Sequence, residues 1–571
     1  MEPAWTLDQF QSVTLKAMKE ELDQKVGLAV KELFGADVKI ELTRPDEQFG
    51  DYATNVALQI SKQLGKNPRE IGEALAEKLR ADLIDQISEV TVAGPGFINL
   101  KLNDTALLKA LKSEPAKSLA GQVVVAEYSD PNPFKVLHAG HLYTSIVGDA
   151  IANLLEQAGA EVHRVNFGGD VGLHVGKTMW AVLREIGGEN PDQLSSVNNK
   201  SEWLANLYVK GTQAYEDDER TKAEIIELNK RVYKIHDDND HDSPFAQIYW
   251  TCRQWSYDYF NAFYESIGTK FEKYYPESQT APIGITAVRE QIGKVYEESE
   301  GAIIFDGEKH GLHTRVFINS EGLPTYETKD VGLVMLKEQD YHPDRSIIIT
   351  GNEQEQYLAV VLKSVEQFAP DLVKGTNHLT HGLVKLAGGV KMSSRLGNIL
   401  RAVDVLDVAA EANKKHNEQE SNDTVLGAVK YAFLKNRMGG DIIYDPVESV
   451  SLEGNSGPYL QYAHARASSI LRKVEGANEI PEKVTFEAGE RSLARKISEY
   501  TEVVDKATAE LMPHLIATYL YELAQIFNRF YENNRVIGEQ RQSIRLDLVA
   551  KYAQILKSGL GLLGIAAPDK M

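Results

Sequence analysis

The stretch from Val123 to Phe167 leaves this chain little freedom in what it can build. Val123-Val124-Val125-Ala126-Glu127-Tyr128 is an apolar run of strand length, and Ser129-Asp130-Pro131-Asn132-Pro133 ends it with turn residues. His138-Ala139-Gly140-His141 comes next. Leu142, Ile146, Ala150, Ile151 and Leu154 then recur at the spacing of one helix face, and a second strand is predicted over 161–167. Strand, turn, helix and strand make one half of a nucleotide-binding α/β sheet. His138 and His141 stand at the mouth of the helix, where free backbone N–H groups and the helix dipole favour a phosphate.

Far downstream, Lys391-Met392-Ser393-Ser394 lies in a glycine-flanked segment, 388–398, that reads as a mobile loop able to close over a triphosphate. The two tetrapeptides together resemble the signature pair of class I aminoacyl-tRNA synthetases, and the arginyl family fits best. That narrower resemblance rests on Gly50-Asp51-Tyr52-Ala53-Thr54-Asn55, Ala93-Gly94-Pro95-Gly96-Phe97-Ile98-Asn99 and Tyr326-Glu327-Thr328-Lys329-Asp330. Gly457-Pro458-Tyr459-Leu460-Gln461-Tyr462-Ala463-His464-Ala465-Arg466 and the closing Ala567-Pro568-Asp569-Lys570-Met571 extend it over nearly the whole chain.

The resemblance implies an arginine–tRNA ligase: arginine is activated by ATP to an adenylate with release of pyrophosphate, then passed to the 3′-terminal ribose of its tRNA. Such chemistry needs positive charge and N–H donors where phosphoryl charge builds. His138, His141, Lys391 and Ser393 are the implied catalytic residues, and His138, Gly140, His141, Lys391 and Met392 the implied ATP contacts. Arginine in turn demands acids, because its guanidinium stays charged and its planar donors suit carboxylates. By resemblance Asp330 and Glu127 face the guanidinium, Tyr326 lines the pocket, and Gln354 and Asn132 hold the polar groups. Tyr326 and Asp330, four apart, share a helix face. Many arginyl members lack a lysine at the position of Lys391. Tyr143 stands where many have arginine and His174 where glutamine is usual. Both departures are expected near the site.

With 571 residues the chain suits about three or four domains on a prior of roughly 150 residues each. The expected fold is a Rossmann-like α/β catalytic domain with parallel sheet at 121–404, carrying an insertion at about 177–318. An α+β domain precedes it at 1–112 and an all-α bundle follows at 405–571. The opening helix carries Leu15, Met18, Leu22, Val26, Val30 and Leu33, and the closing bundle two stripes, Leu515, Tyr519, Leu523, Ile526, Phe530 and Leu548, Tyr552, Leu556, Leu563. In the arginyl family the first domain meets the tRNA elbow and the last binds the anticodon stem and loop.

A lone cysteine, Cys252, excludes an internal disulfide and any thiolate zinc cage, so no zinc is expected and a cysteinyl-type synthetase is disfavoured. Magnesium should accompany ATP, with no protein metal ligand assignable. No stretch has the roughly 20 apolar residues of a membrane span, and the reading is a cytoplasmic monomer with no membrane or DNA partner. A net charge of −21 argues against a protein that coats nucleic acid, yet site-specific tRNA binding needs only a local stripe. The last third offers Arg466, Arg472, Lys473, Arg491, Arg495, Lys496, Arg529, Arg535, Arg541 and Arg545, some of them solvated helix faces. A non-catalytic tRNA-binding paralogue would have no chemical reason to keep His138, His141, Lys391, Tyr326 and Asp330 together.

Three decoys are set aside. His236-Asp237-Asp238-Asn239-Asp240-His241-Asp242 is a solvated acidic loop, its residues consecutive and not at spacing that converges ligands. Gly559-Leu560-Gly561-Leu562-Leu563-Gly564 ends a helical pattern and does not join strand to helix. Gly176-Lys177-Thr178 lacks the leading glycine of a P-loop, with Val171 in its place.

Overall fold

A computed structural model describes residues 18–387, 400–417, 421–474 and 484–571. Leu15 and Lys391, Met392 and Ser393 lie outside those residues.

The centre of the molecule is a five-stranded sheet in which every neighbouring pair is parallel. Across the sheet the strands run Thr376–His381, Arg345–Gly351, Val123–Glu127, Glu161–Gly168 and Lys273–Pro276. The chain leaves Val123–Glu127 toward Glu161–Gly168 and later returns on its other side as Arg345–Gly351. That reversal opens a crevice at the carboxyl ends of the strands, the usual ligand position in such sheets.

Between the first two strands runs the helix Ala139–Gln157. The sequence stripe covers one of its faces, but Tyr143, Val147, Ala152 and Leu155 are buried as well. The cause is long-range. Helices Ala402–His416, Asn422–Leu434, Tyr500–Glu510 and Gln542–Leu562 pack on the face that the sheet leaves free, so the helix is buried on nearly every side.

The stretch expected as one insertion, 177–318, is divided. Helices Leu173–Glu185, Lys200–Asp217, Glu219–Asp237 and Pro244–Ile267 form a separate layer, with Val175, Met179, Phe245 and Tyr249 in its core. The chain then re-enters the main sheet as Lys273–Pro276, continues as helix Glu277–Glu290, and builds an antiparallel sheet from Glu297–Ser299, Ala302–Phe305 and Arg315–Ile318. Four residues of edge strand are too few to show alternation, which is why the sequence pattern hides the return.

In the first domain, Met18–Phe34 buries Met18, Leu22, Val26 and Val30, while Leu33 is 43% exposed and falls off the stripe. The strands Tyr52–Thr54, Phe97–Leu102 and Ile87–Ala93 form an antiparallel sheet. The Gly50-Asp51-Tyr52 motif does not sit free for RNA. Asp51, 1% exposed, accepts from Arg491 at 2.7 Å and from the Leu102 N–H, and Tyr52 donates to Glu502, which also pairs with Arg44 at 2.6 Å. The motif clasps the first domain to the closing bundle. Removing Arg491 leaves a buried carboxylate whose remaining cation among the described residues is Arg495, at the longer distance of 3.5 Å, beside the Leu102 N–H. Arg491→Ala should therefore lower unfolding stability by about 2–3 kcal/mol in denaturant titration, whereas an undiminished midpoint would show the clasp to be energetically idle.

In the bundle, Tyr519, Leu523, Phe530, Leu548, Tyr552, Leu556 and Leu563 are buried, and Phe527 stacks on Tyr552 at 3.8 Å. Gly559 lies inside helix Gln542–Leu562 and Gly176 inside helix Leu173–Glu185, so neither forms a phosphate loop. Of the acidic run, His236 closes a helix and bonds Tyr249, and His241 stacks on Trp250.

Candidate active site

At the carboxyl ends of the parallel strands lies a cavity of about 600 Å³. Glu127, Asn132, His138, Gly140, His141, Tyr326, Asp330 and Gln354 all line it, although they are spread over more than two hundred residues of sequence. Gln354 faces it from the turn Asn352–Gln354, while Gln356 is not among the lining residues. Leu383, Val384 and Leu400, which flank the segment holding Lys391, Met392 and Ser393, line it too.

His138 is the N-cap of helix Ala139–Gln157, and helix capping and a place in the site go together here. Its Nδ1 accepts the Gly140 N–H at 3.1 Å, and Nδ1 of His141 accepts the His138 N–H at 3.1 Å. An Nδ1 that accepts carries no proton, so each neutral ring bears its hydrogen on Nε2. The two rings stack with centroids 3.7 Å apart. Burial lowers the pKa of both, and for His141 the positive charge of His138 and Lys135 adds to it. Gly140 is the residue that lets the rings sit so, because a Cβ there would stand 2.8 Å from the His138 ring. The site therefore holds two neutral N–H donors at a helix N-terminus, with the ammonium of Lys135 near enough to bear on both. The sequence reading missed Lys135.

The other end of the cavity is acidic. Glu127, 3% exposed at the end of its strand, receives Lys337 Nζ at 2.6 Å, and Lys337 also donates to Ser346. Glu277, at the start of its helix, is paired with Lys329. Asp330, 9% exposed, has no such cation among the described residues. It accepts from the Tyr357 hydroxyl, and burial, reinforced by Glu127 and Glu277, pushes its pKa up to about 8. Tyr326, 51% exposed, stands at the rim one turn before Asp330, with Lys329 Nζ 4.9 Å over its ring. Asn132 Oδ1 accepts the Gly169 N–H at 2.8 Å and ties the turn after the first strand to the end of the second. The helices bearing Glu277 and Asp330 approach backbone to backbone, since a Cβ on Gly332 would meet Thr280 O at 2.0 Å.

The two departures differ in place. Tyr143 is wholly buried behind the site, edge-on to His381 and Phe433. His174 is buried beside it and shares a hydrogen bond of 2.7 Å with Gly169 O.

Three family models divide the chain between them. The N-terminal domain of arginyl-tRNA synthetases matches residues 16–102, the class I (R) tRNA-synthetase catalytic domain residues 104–446, and the DALR anticodon-binding domain residues 460–571. The catalytic match alone covers more than half of the chain. The chain belongs to the arginyl-tRNA synthetases. Among its relatives in that family, the arginine–tRNA ligase of Porphyromonas gingivalis is 30% identical over 97% of this chain and 99% of that protein. That of Phocaeicola vulgatus is 29% identical over 97% and 100%. The solved arginyl-tRNA synthetase of Thermus thermophilus superposes with a TM-score of 0.78 at 26% identity, over 97% of this chain and all of that one. The fold of this arginyl-tRNA synthetase is thus the expected one: a parallel-sheet catalytic domain between an α+β domain and a helical bundle.

Proposed function

We propose that the acid-lined cavity beside His138 and His141 binds arginine and ATP together and carries the family's two-step ligation. The observation that carries this reading is Asp330, a buried carboxyl with no cation of its own among the described residues, in the same cavity as two histidines at a helix N-terminus. Arginine enters with its guanidinium on Asp330 and its side chain along Tyr326, while Gln354 and Asn132 take its polar groups. Glu127, already paired through Oε2 with Lys337, contributes its Oε1.

The α-carboxylate of arginine then attacks the α-phosphorus of ATP, and the bond to pyrophosphate breaks. His138 and His141 donate Nε2–H to the phosphoryl oxygens where charge develops, and Gly140 and the exposed N–H groups of the first helical turn add their dipoles. Lys391, with Met392 and Ser393, supplies charge to the leaving pyrophosphate. Magnesium accompanying ATP would add positive charge where the phosphates' negative charge builds. Among the described residues no group of three His, Cys, Asp or Glu side chains is placed to hold a metal, so no protein ligand is assigned. In the second step a hydroxyl of the terminal tRNA ribose attacks the carbonyl carbon and AMP leaves.

The domains divide the work: residues 1–112 meet the tRNA elbow, 121–404 perform the chemistry, and 405–571 read the anticodon stem and loop. Arg491, Arg495, Lys496, Arg541 and Arg545 are engaged in ion pairs within the protein. The RNA-facing cations are therefore sought among Arg466, Arg472, Lys473, Arg529 and Arg535. The protein acts as a cytoplasmic monomer. Among the described residues no helix is long and apolar enough to cross a membrane.

Two measurements test this. Pyrophosphate exchange with arginine should depend on tRNA, and strong exchange without it would remove that coupling. The second follows from Asp330. Its carboxyl, raised to about 8, is largely protonated at neutral pH, and the guanidinium requires it ionised. Through Asp330, arginine binding should release close to one proton at pH 7, and affinity should rise nearly tenfold from about pH 6 to 7 and less steeply from 7 to 8. Calorimetry in buffers of different ionisation enthalpy counts that proton. Binding without proton release would place the guanidinium elsewhere.

A further inference from the structure

Asp170 follows the strand Glu161–Gly168, is wholly buried and does not line the cavity, yet three elements meet on it. Its Oδ1 accepts the backbone N–H of Ser278 at 2.9 Å, and its Oδ2 accepts the Ser278 hydroxyl at 2.7 Å and Arg253 Nε at 2.9 Å. Arg253 comes from helix Pro244–Ile267 of the helical layer, as does Tyr249, whose hydroxyl donates to the Asp170 carbonyl at 2.9 Å. Ser278 belongs to the first turn of helix Glu277–Glu290. Asp170 therefore ties the helical layer and the main sheet to that helix N-terminus.

The residue beside Ser278 is Glu277, which does line the cavity and pairs with Lys329. Both members of the pair are buried. Lys329 immediately precedes Asp330 and holds its Nζ 4.9 Å over the Tyr326 ring. With the substrate guanidinium on Asp330 and its side chain along Tyr326, the Lys329 ammonium is its neighbour. Two cations that close repel strongly away from water unless an acid lies on one of them. Glu277 is that acid, and its place depends on the helix terminus that Asp170 holds.

We propose that Asp170, together with Arg253, is a positioning residue for arginine: it seats Glu277 on Lys329 and so keeps an uncompensated ammonium from opposing the substrate guanidinium. The assignment rests on the arginine reading above. The ion pair and hydrogen bond of Arg253 go to Asp170, and its ring contacts are Trp250 and Tyr257, none of which lines the cavity. Its influence on the pocket travels through Asp170 and Ser278.

Arg253→Met tests it, because Asp170 then keeps the Ser278 donors but has only His236, at 4.0 Å, in place of its cation. KM for arginine, ATP and tRNA, kcat and Tm are measured for wild type, Arg253→Met, Arg253→Lys and Ser278→Ala. KM for arginine should rise roughly ten- to fiftyfold in Arg253→Met, with KM for ATP and tRNA unchanged, and Arg253→Lys should return it to within about threefold of wild type. Ser278→Ala leaves every charge in place and reads the same link should Arg253→Met not fold. It should raise the arginine KM about threefold, and combining it with Arg253→Met should add less than the product of the two, since both act through Asp170. An unchanged arginine KM in Arg253→Met or in Ser278→Ala overturns the proposal. So does a lowered Tm with equal losses for arginine and ATP, as a merely structural clamp would give, or a raised KM for tRNA alone, which would make Arg253 an RNA contact. Charging by the wild type bears on the underlying reading separately. A wild type that charges another amino acid overturns that reading and the role of Asp170 with it.

Discussion

Replacing Asp330 by alanine should raise KM for arginine by between about a hundred- and several-thousand-fold while leaving tRNA affinity intact. A buried, directed charge pair costs about 3–5 kcal/mol when one partner is removed, and each 1.4 kcal/mol is a factor of ten. The same substitution should not destabilise the fold. The folded pKa of Asp330 lies near 8, above the ordinary 3.8, so between those values the folded protein binds more protons than the unfolded chain. Stability contributed by this group is present at low pH and is lost as pH rises toward 8. Asp330→Asn, which stays neutral, should therefore match or exceed the wild-type Tm at pH 8. Lost arginine binding together with retained or raised Tm is the mark of an acid kept for its substrate. A parallel loss of both would make Asp330 a structural residue.

The second large effect belongs to His138. Asparagine is a good helix N-cap, so His138→Asn keeps the acceptor for the Gly140 N–H but removes the Nε2–H proposed above as the phosphate donor. Loss of one preorganised donor to a developing oxyanion costs roughly 10²- to 10³-fold in rate. Adenylate formation should fall by that much in kcat, with KM for arginine little changed and Tm within a few degrees of wild type. A variant with near-normal kcat would reduce His138 to a capping residue. One with a strongly lowered Tm would show that the stacked histidine pair, not the donor, is what the helix terminus requires.

The parts of the site that were legible in the sequence are those written in local spacing. The strand before Ser129, the histidines at the helix mouth and the Tyr326–Asp330 turn each lie within one element, where period and turn chemistry decide the geometry. What pairs with them is tertiary. Lys337 reaches Glu127 from 210 residues away, Lys329 reaches Glu277, and Tyr357 reaches Asp330 from the next helix. No sequence period marks such partners. The basic residues of the last third illustrate the converse. Arg491, Arg541 and Arg545 read as candidates for RNA, yet buried acids, Asp51 and Glu490, occupy them.

Charging of bulk tRNA with each labelled amino acid in turn, wild type beside Asp330→Ala, tests the central claim most directly. The expected result is charging by the wild type with arginine alone, lost in the variant. Charging with a different amino acid, or arginine charging that survives the loss of Asp330, would contradict it.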